Sequence, residues 1–227
     1  MIRFLLYFMV VPALLNAQTI ARVGKPLNLF TLGDSNGSFP YSWPEQLKQA
    51  LPDASVFNIS KSGRTIGFVN NGDSSLNSSM VIEENLQKAA EFTKDRPFDF
   101  IILQLGTNDA KAVFAGRQSE VAANLEKLIK QIKNCRYQVI SKAKVVIISP
   151  PPYGEKAEAQ EKYKGGNRRV EEMSKKFEEI AKRNDCLFIN GFKTPGLDIN
   201  SMTPDGLHLD AIGSRKLIEP LVKIVQK

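Results

Sequence analysis

Along the chain, short stretches that are apolar at nearly every position alternate with longer stretches in which apolar residues return every three or four. The short runs are Leu27 to Leu32, Ser55 to Ile59, Phe98 to Leu105, Lys144 to Ser149 and Leu187 to Ile189. They are rich in β-branched or aromatic residues and read as buried strands. Ser42 to Ala50, Met80 to Thr93, Ser119 to Ser141, Asn167 to Asn184 and Ala211 to Gln226 carry helical spacing. The order is strand then helix, five times over. Strands without a polar face are covered on both sides, which is how parallel sheets between two helical layers are built. The pattern predicts an α/β fold, a three-layer α/β/α sandwich around a mostly parallel five-stranded sheet. In such sheets ligands bind beyond the carboxyl ends of the strands.

Composition narrows this picture. The 227 residues suit one such domain, and no repeat or low-complexity linker divides them. A hydrophobic share of 42% with 24% charged residues excludes a disordered, collagen-like or multi-pass membrane chain. Met1-Ile2-Arg3 is a positive start, Phe4 to Leu15 is apolar, and Ala17 is small. These features predict a signal peptide over residues 1–17, cleaved near Ala17 and Gln18, and a secreted or periplasmic domain over 18–227. About 12 apolar residues fall short of the ~20 that span a bilayer, so no stable membrane insertion is expected after cleavage.

The net charge of +7 loses only Arg3 with that segment and stays basic. Lysines and arginines interleave with glutamates from Glu171 to Lys182, the habit of a solvated helix face. No arginine-rich run or basic strip with interleaved aromatics points to nucleic acid. Two cysteines are too few for a disulfide-stapled miniprotein or a cysteine-built zinc site, and no metal or other cofactor is expected. After export Cys135 and Cys186 could pair. Two unpaired buried thiols are favoured, because nothing in the spacing brings them together. The chain has a single histidine, so histidine chemistry must use His208.

The residues after the strands are the informative ones. Gly33-Asp34-Ser35-Asn36-Gly37 follows the first strand and can hold a serine hydroxyl on a tight turn, although serines there are commonly turn or N-cap residues. In Asn58-Ile59-Ser60-Lys61-Ser62-Gly63-Arg64-Thr65, Gly63 can present its N–H without a side chain in the way, as any turn glycine can. In Gly106-Thr107-Asn108-Asp109, the Asn108 amide can donate to an oxyanion or merely cap the loop. In Pro204-Asp205-Gly206-Leu207-His208, a carboxylate three residues before the imidazole can hold Nδ1–H and leave Nε2 free to accept a serine proton. Each block is weak alone, and together they fall in order at the ends of successive strands and before the last helix.

These four blocks make the chain resemble the SGNH hydrolases, also called the GDSL esterase/lipase family, over residues 29–213. Ser35, Gly63, Asn108 and His208 match the four residues of the family's name. Asn36 stands where many members have leucine, and Ser60 where the second block often begins with glycine. The resemblance implies a flavodoxin-like sandwich and ester hydrolysis. Ser35 is then the nucleophile, His208 the base, Asp205 its orienting acid, and the Ser35 and Gly63 N–H groups with the Asn108 amide the oxyanion hole. Asp34 is expected to bond the backbone of its own turn, since Asp205 already has the spacing of the acid. A small-molecule or glycan ester is the expected substrate, because related secreted enzymes often remove acetyl groups from polysaccharides or sialic acids. Phe39, Tyr41, Trp43 and Phe68 lie near the blocks and could stack on sugar rings or fill the core. A lysophospholipase or thioesterase acting on longer acyl chains is the alternative enzyme. A silent carbohydrate-binding module is the alternative class.

Overall fold

The computed structural model describes residues 25–226. Five strands, β1 (Asn28–Gly33), β2 (Ser55–Asn58), β3 (Phe100–Gln104), β4 (Lys144–Ile148) and β5 (Leu187–Ile189), form one sheet in the order β2-β1-β3-β4-β5. Every pairing is parallel, so the sheet is wholly rather than mostly parallel. The helices are α1 (Trp43–Ala50), α2 (Ser78–Thr93), α3 (Gln118–Lys133), α4 (Gln138–Ser141), α5 (Glu155–Glu158), α6 (Gly166–Arg183) and α7 (Ala211–Val225).

The two sides of the sheet follow from the two-residue repeat of a strand. Phe30 and Leu32, Ile101 and Leu103, and Val145 and Ile147 face one core, where Leu86 of α2, Leu125 of α3 and Phe177 of α6 pack. Leu29, Ile102, Val146 and Ile148 face the other, under Leu47 of α1 and Leu217 of α7. Burying one such side chain is worth about 1.5–3 kcal/mol. The sandwich is therefore written into the alternation of each strand.

The long helix expected over Ser119 to Ser141 is two helices. After Lys133 the chain leaves the α3 axis at Asn134, whose N–H bonds to the Lys130 carbonyl, and Tyr137 is extended. The Val139 carbonyl then accepts from Phe98 N–H at 2.8 Å, tying the turn to the segment before β3. Asn134, after Lys130 and Lys133 in the last turn, caps α3 in a stretch that contains no glycine or proline.

The strand order places the switch point between β1 and β3, whose neighbours lead away in opposite directions. Gly33 and Gln104 are partners at its carboxyl end. Chemistry-bearing loops therefore emerge side by side from β1 and β3.

Candidate active site

At the end of β1 the chain enters a 3-10 turn over Ser35–Gly37, capped by Asp34, whose Oδ1 accepts from Asn36 N–H at 2.9 Å. Asp34 thus bonds its own turn. Gly37 is there for want of space: a Cβ would lie 2.3 Å from Ser60 Oγ. Ser60, the departure from glycine in the second block, donates to Asn58 Oδ1 at 2.7 Å, and Asn58 Nδ2 donates to the Gly37 carbonyl at 2.9 Å. The serine turn is locked onto the β2 loop.

His208 Nε2 lies 3.0 Å from Ser35 Oγ, and its Nδ1 lies 2.6 Å from Asp205 Oδ2. The other carboxylate oxygen, Oδ1, accepts from the N–H groups of Leu207 (2.9 Å) and His208 (2.8 Å). Burial alone would raise the Asp205 pKa. The His208 N–H, the ring and the Leu207 N–H outweigh it, and the carboxyl is held below its usual range. The ionised form is the one that orients an imidazole. Phe39 sets its ring edge-on to His208 with 5.4 Å between centroids, and Tyr41 stacks on Phe39.

Gly63 has φ +82°, a conformation that favours glycine. Among the described residues, neither its N–H nor that of Ser35 finds an acceptor. Asn108 spends one amide hydrogen on the Arg64 carbonyl at 3.0 Å, which leaves the second to give. The sequence-chosen residues of the second and third blocks are thereby joined, as those of the first and fourth are through His208.

Four further residues hold these loops and were not singled out for this. Asn36 donates through Nδ2 to the Leu207 carbonyl (3.2 Å) and accepts at Oδ1 from Leu209 N–H (2.8 Å), so the residue that replaces leucine stitches the serine turn to the histidine loop. Asp109 accepts from Ile66 N–H with both oxygens, at 3.0 and 3.1 Å. It is fully buried, and burial, opposed by the Ile66 N–H among others, pushes its pKa up to about 7; the neighbouring Asp34 carboxyl adds to the rise. Asp34 is raised too, by burial. The Arg64 guanidinium turns inward onto the Ile59 carbonyl, and the Tyr153 hydroxyl donates to the Thr107 carbonyl.

Of the aromatics that could meet a sugar, Trp43 and Phe68 are buried in the two cores, Phe68 stacked on Phe114. Phe39 and Tyr41 stay accessible, Tyr41 at 41%. Cys135 and Cys186 are free thiols, half-buried rather than buried. Among the described residues no cluster of three or more His, Cys, Asp or Glu side chains could hold a metal ion. No helix there is long and apolar enough to cross a membrane. The expected signal peptide lies outside the described residues.

The family model for GDSL-like lipases and acylhydrolases matches residues 23–216. The chain belongs to that family. It is thus a member of the SGNH esterases, with the fold expected of them. Among curated proteins none was found to match. Among solved structures, a carbohydrate acetylesterase from Sinorhizobium meliloti, Est24, is similar at 23% identity with a TM-score of 0.74, covering 88% of this chain and 98% of its own. An aryl esterase from M. smegmatis gives the same identity, score and coverage. A lipase/acylhydrolase from Enterococcus faecalis is 21% identical with a TM-score of 0.63, covering 88% of this chain and 95% of its own. At these identities the likeness speaks for the fold.

Proposed function

We propose that this family member is a secreted carbohydrate O-acetylesterase working through an acyl-enzyme. One observation carries the mechanism: Ser35 Oγ, the His208 ring and the Asp205 carboxylate stand in one hydrogen-bonded line. Ser35 Oγ attacks the ester carbonyl carbon while its proton passes to His208 Nε2. The tetrahedral oxyanion takes hydrogen bonds from Ser35 N–H, Gly63 N–H and the free Asn108 hydrogen. As the C–O bond breaks, Nε2–H protonates the leaving alcohol and an acyl-Ser35 remains. A water that gives its proton to the same nitrogen then attacks, and the acid leaves as Ser35 recovers its hydrogen.

Two things support acetyl on a sugar. The Phe39 ring lies against His208, which serves the leaving alcohol, with Tyr41 stacked on it, and an aromatic face suits a sugar ring. A carbohydrate acetylesterase stands among the similar structures. Secretion rests on the apolar leader at residues 1–17.

The test is a chain-length series of 4-nitrophenyl esters with acetate release from acetylated glycans. Activity falling steeply from acetate to butyrate and octanoate, with glycan deacetylation, is the expected result. Activity that rises with chain length would replace this reading with a lysophospholipase or thioesterase. Ser35→Ala should abolish turnover of every ester, and retained hydrolysis would remove Ser35 from the mechanism.

A further inference from the structure

Asn36 is joined by a peptide bond to the nucleophile, and its side chain is buried. The amide meets the histidine loop twice, at groups that stand on either side of His208. Nδ2 donates to the Leu207 carbonyl at 3.2 Å, and Oδ1 accepts from Leu209 N–H at 2.8 Å. The first belongs to the peptide that enters His208, the second to the peptide that leaves it. Leu207 and Leu209 are buried, and among the described residues neither of these backbone groups has another partner. A buried peptide group needs its bond inside the protein, so the histidine loop depends on this amide for both.

Asp205 and Asn36 divide the work on the base. Asp205 Oδ1 takes the N–H of the Leu207–His208 peptide, whose carbonyl Asn36 holds, and Oδ2 takes the ring at Nδ1. Asp205 sits in the same loop as His208 and moves with it, so its bonds orient the ring without locating the loop against Ser35. Asn36 sits in the serine turn. That turn is itself fixed, since Asn36 N–H bonds to Asp34 Oδ1 at 2.9 Å and the Gly37 carbonyl accepts from Asn58 Nδ2 at 2.9 Å. Gly154 N–H also ties the histidine loop, through the Gly206 carbonyl at 2.8 Å, but from the segment after β4. Among the described residues, the hydrogen bonds between the serine turn and the histidine loop are the two from Asn36 and the Ser35–His208 contact itself.

We propose that Asn36 is a positioning residue for the catalytic base: through the two peptide groups that flank His208 it sets the separation of Nε2 from Ser35 Oγ, 3.0 Å here, and with it the rate of both proton transfers. A leucine at this position could make neither bond. The inference rests on the acyl-enzyme mechanism and is independent of the sugar, so 4-nitrophenyl acetate serves as the substrate.

The experiment is a double-mutant cycle of wild type, Asn36→Leu, His208→Ala and the double variant, each shown to be folded by circular dichroism. Asn36→Leu should lower kcat about 10- to 100-fold, the effect of moving a catalytic group by about 1 Å, with little change in KM. In the His208→Ala background the same substitution should change the residual rate by less than about twofold, because a residue that works only through the imidazole then has nothing to position. Asn36→Asp has the same shape and keeps an oxygen for Leu209 N–H but loses the donor to Leu207. Its kcat should fall between those of wild type and Asn36→Leu, and it takes the leucine variant's place in the cycle if that protein does not fold. A kcat within about twofold of wild type, a loss carried by KM, or a loss as large without His208 as with it overturns the inference. Failure of the mechanism itself reads differently, as a His208→Ala enzyme that keeps the wild-type rate.

Discussion

The two loops that face Ser35 are held in opposite ways. In the histidine loop the carboxylate bonds only within its own turn: Asp205 receives the Leu207 and His208 N–H groups and the imidazole, and its side chain is 42% exposed. The oxyanion loop is held from outside, by a carboxyl that the protein buries completely. Asp109 grips Ile66 across 43 residues, and Asn108 grips Arg64 across 44. The two N–H groups and the imidazole outweigh partial burial and keep the Asp205 carboxylate charged, which suits a group that must stabilise an imidazolium. Burial at Asp109 favours the neutral acid, which suits a fastening. The same side chain thus serves as an electrostatic partner in one loop and a structural clamp in the other, and the balance of burial against hydrogen bonding decides which.

Substitutions can break this contrast. The largest effect is expected for Asp205→Asn, which keeps an oxygen for the two N–H bonds but removes the charge. It should lower kcat on the order of 10⁴-fold, the magnitude known for an orienting aspartate in a serine hydrolase triad, with little change in thermal midpoint. A loss below tenfold would show that the imidazole needs no anion here. Asn108→Ala removes one oxyanion donor and should cost about 100- to 1000-fold in kcat, measured on 4-nitrophenyl acetate. A near-normal rate would take its amide out of the hole.

Asp109→Asn gives the smallest effect, on stability and in a defined direction. With a folded pKa raised from 3.8 to about 7, the protonated acid is the form the fold prefers. Its contribution is full below pH 3.8, where the unfolded chain is protonated too, and fades as pH climbs through 7. Denaturant unfolding at pH 5 and pH 8 should therefore show wild type losing stability relative to Asp109→Asn as pH rises. A difference that stays constant would mean that Asp109 is ionised throughout.

What could be read from the sequence follows the same division. β1, β3 and β4 were legible because both faces of each are buried along most of its length, so apolar residues dominate, while the half-buried β2 and the short β5 were marked by β-branched or aromatic residues. Asp205 and His208 were legible because three residues separate them. The roles of Asn36, Asp109 and Tyr153 were not, since their partners lie 171, 43 and 46 residues away and only the sheet order brings them together. Asn36 left a trace as a polar residue in a place where leucine is common, and its two bonds to the histidine loop are what that polarity serves. The break between α3 and α4 left only a faint trace, Asn134 after the basic last turn with Lys130 and Lys133, because Asn134-Cys135-Arg136 carries no glycine or proline.

Covalent labelling with a fluorophosphonate, followed by peptide mass mapping, addresses the nucleophile itself. One adduct per chain, located on Ser35 and lost in His208→Ala, is the predicted outcome. An unlabelled protein, or a label carried by another residue, would contradict a hydroxyl activated by the only imidazole in the chain.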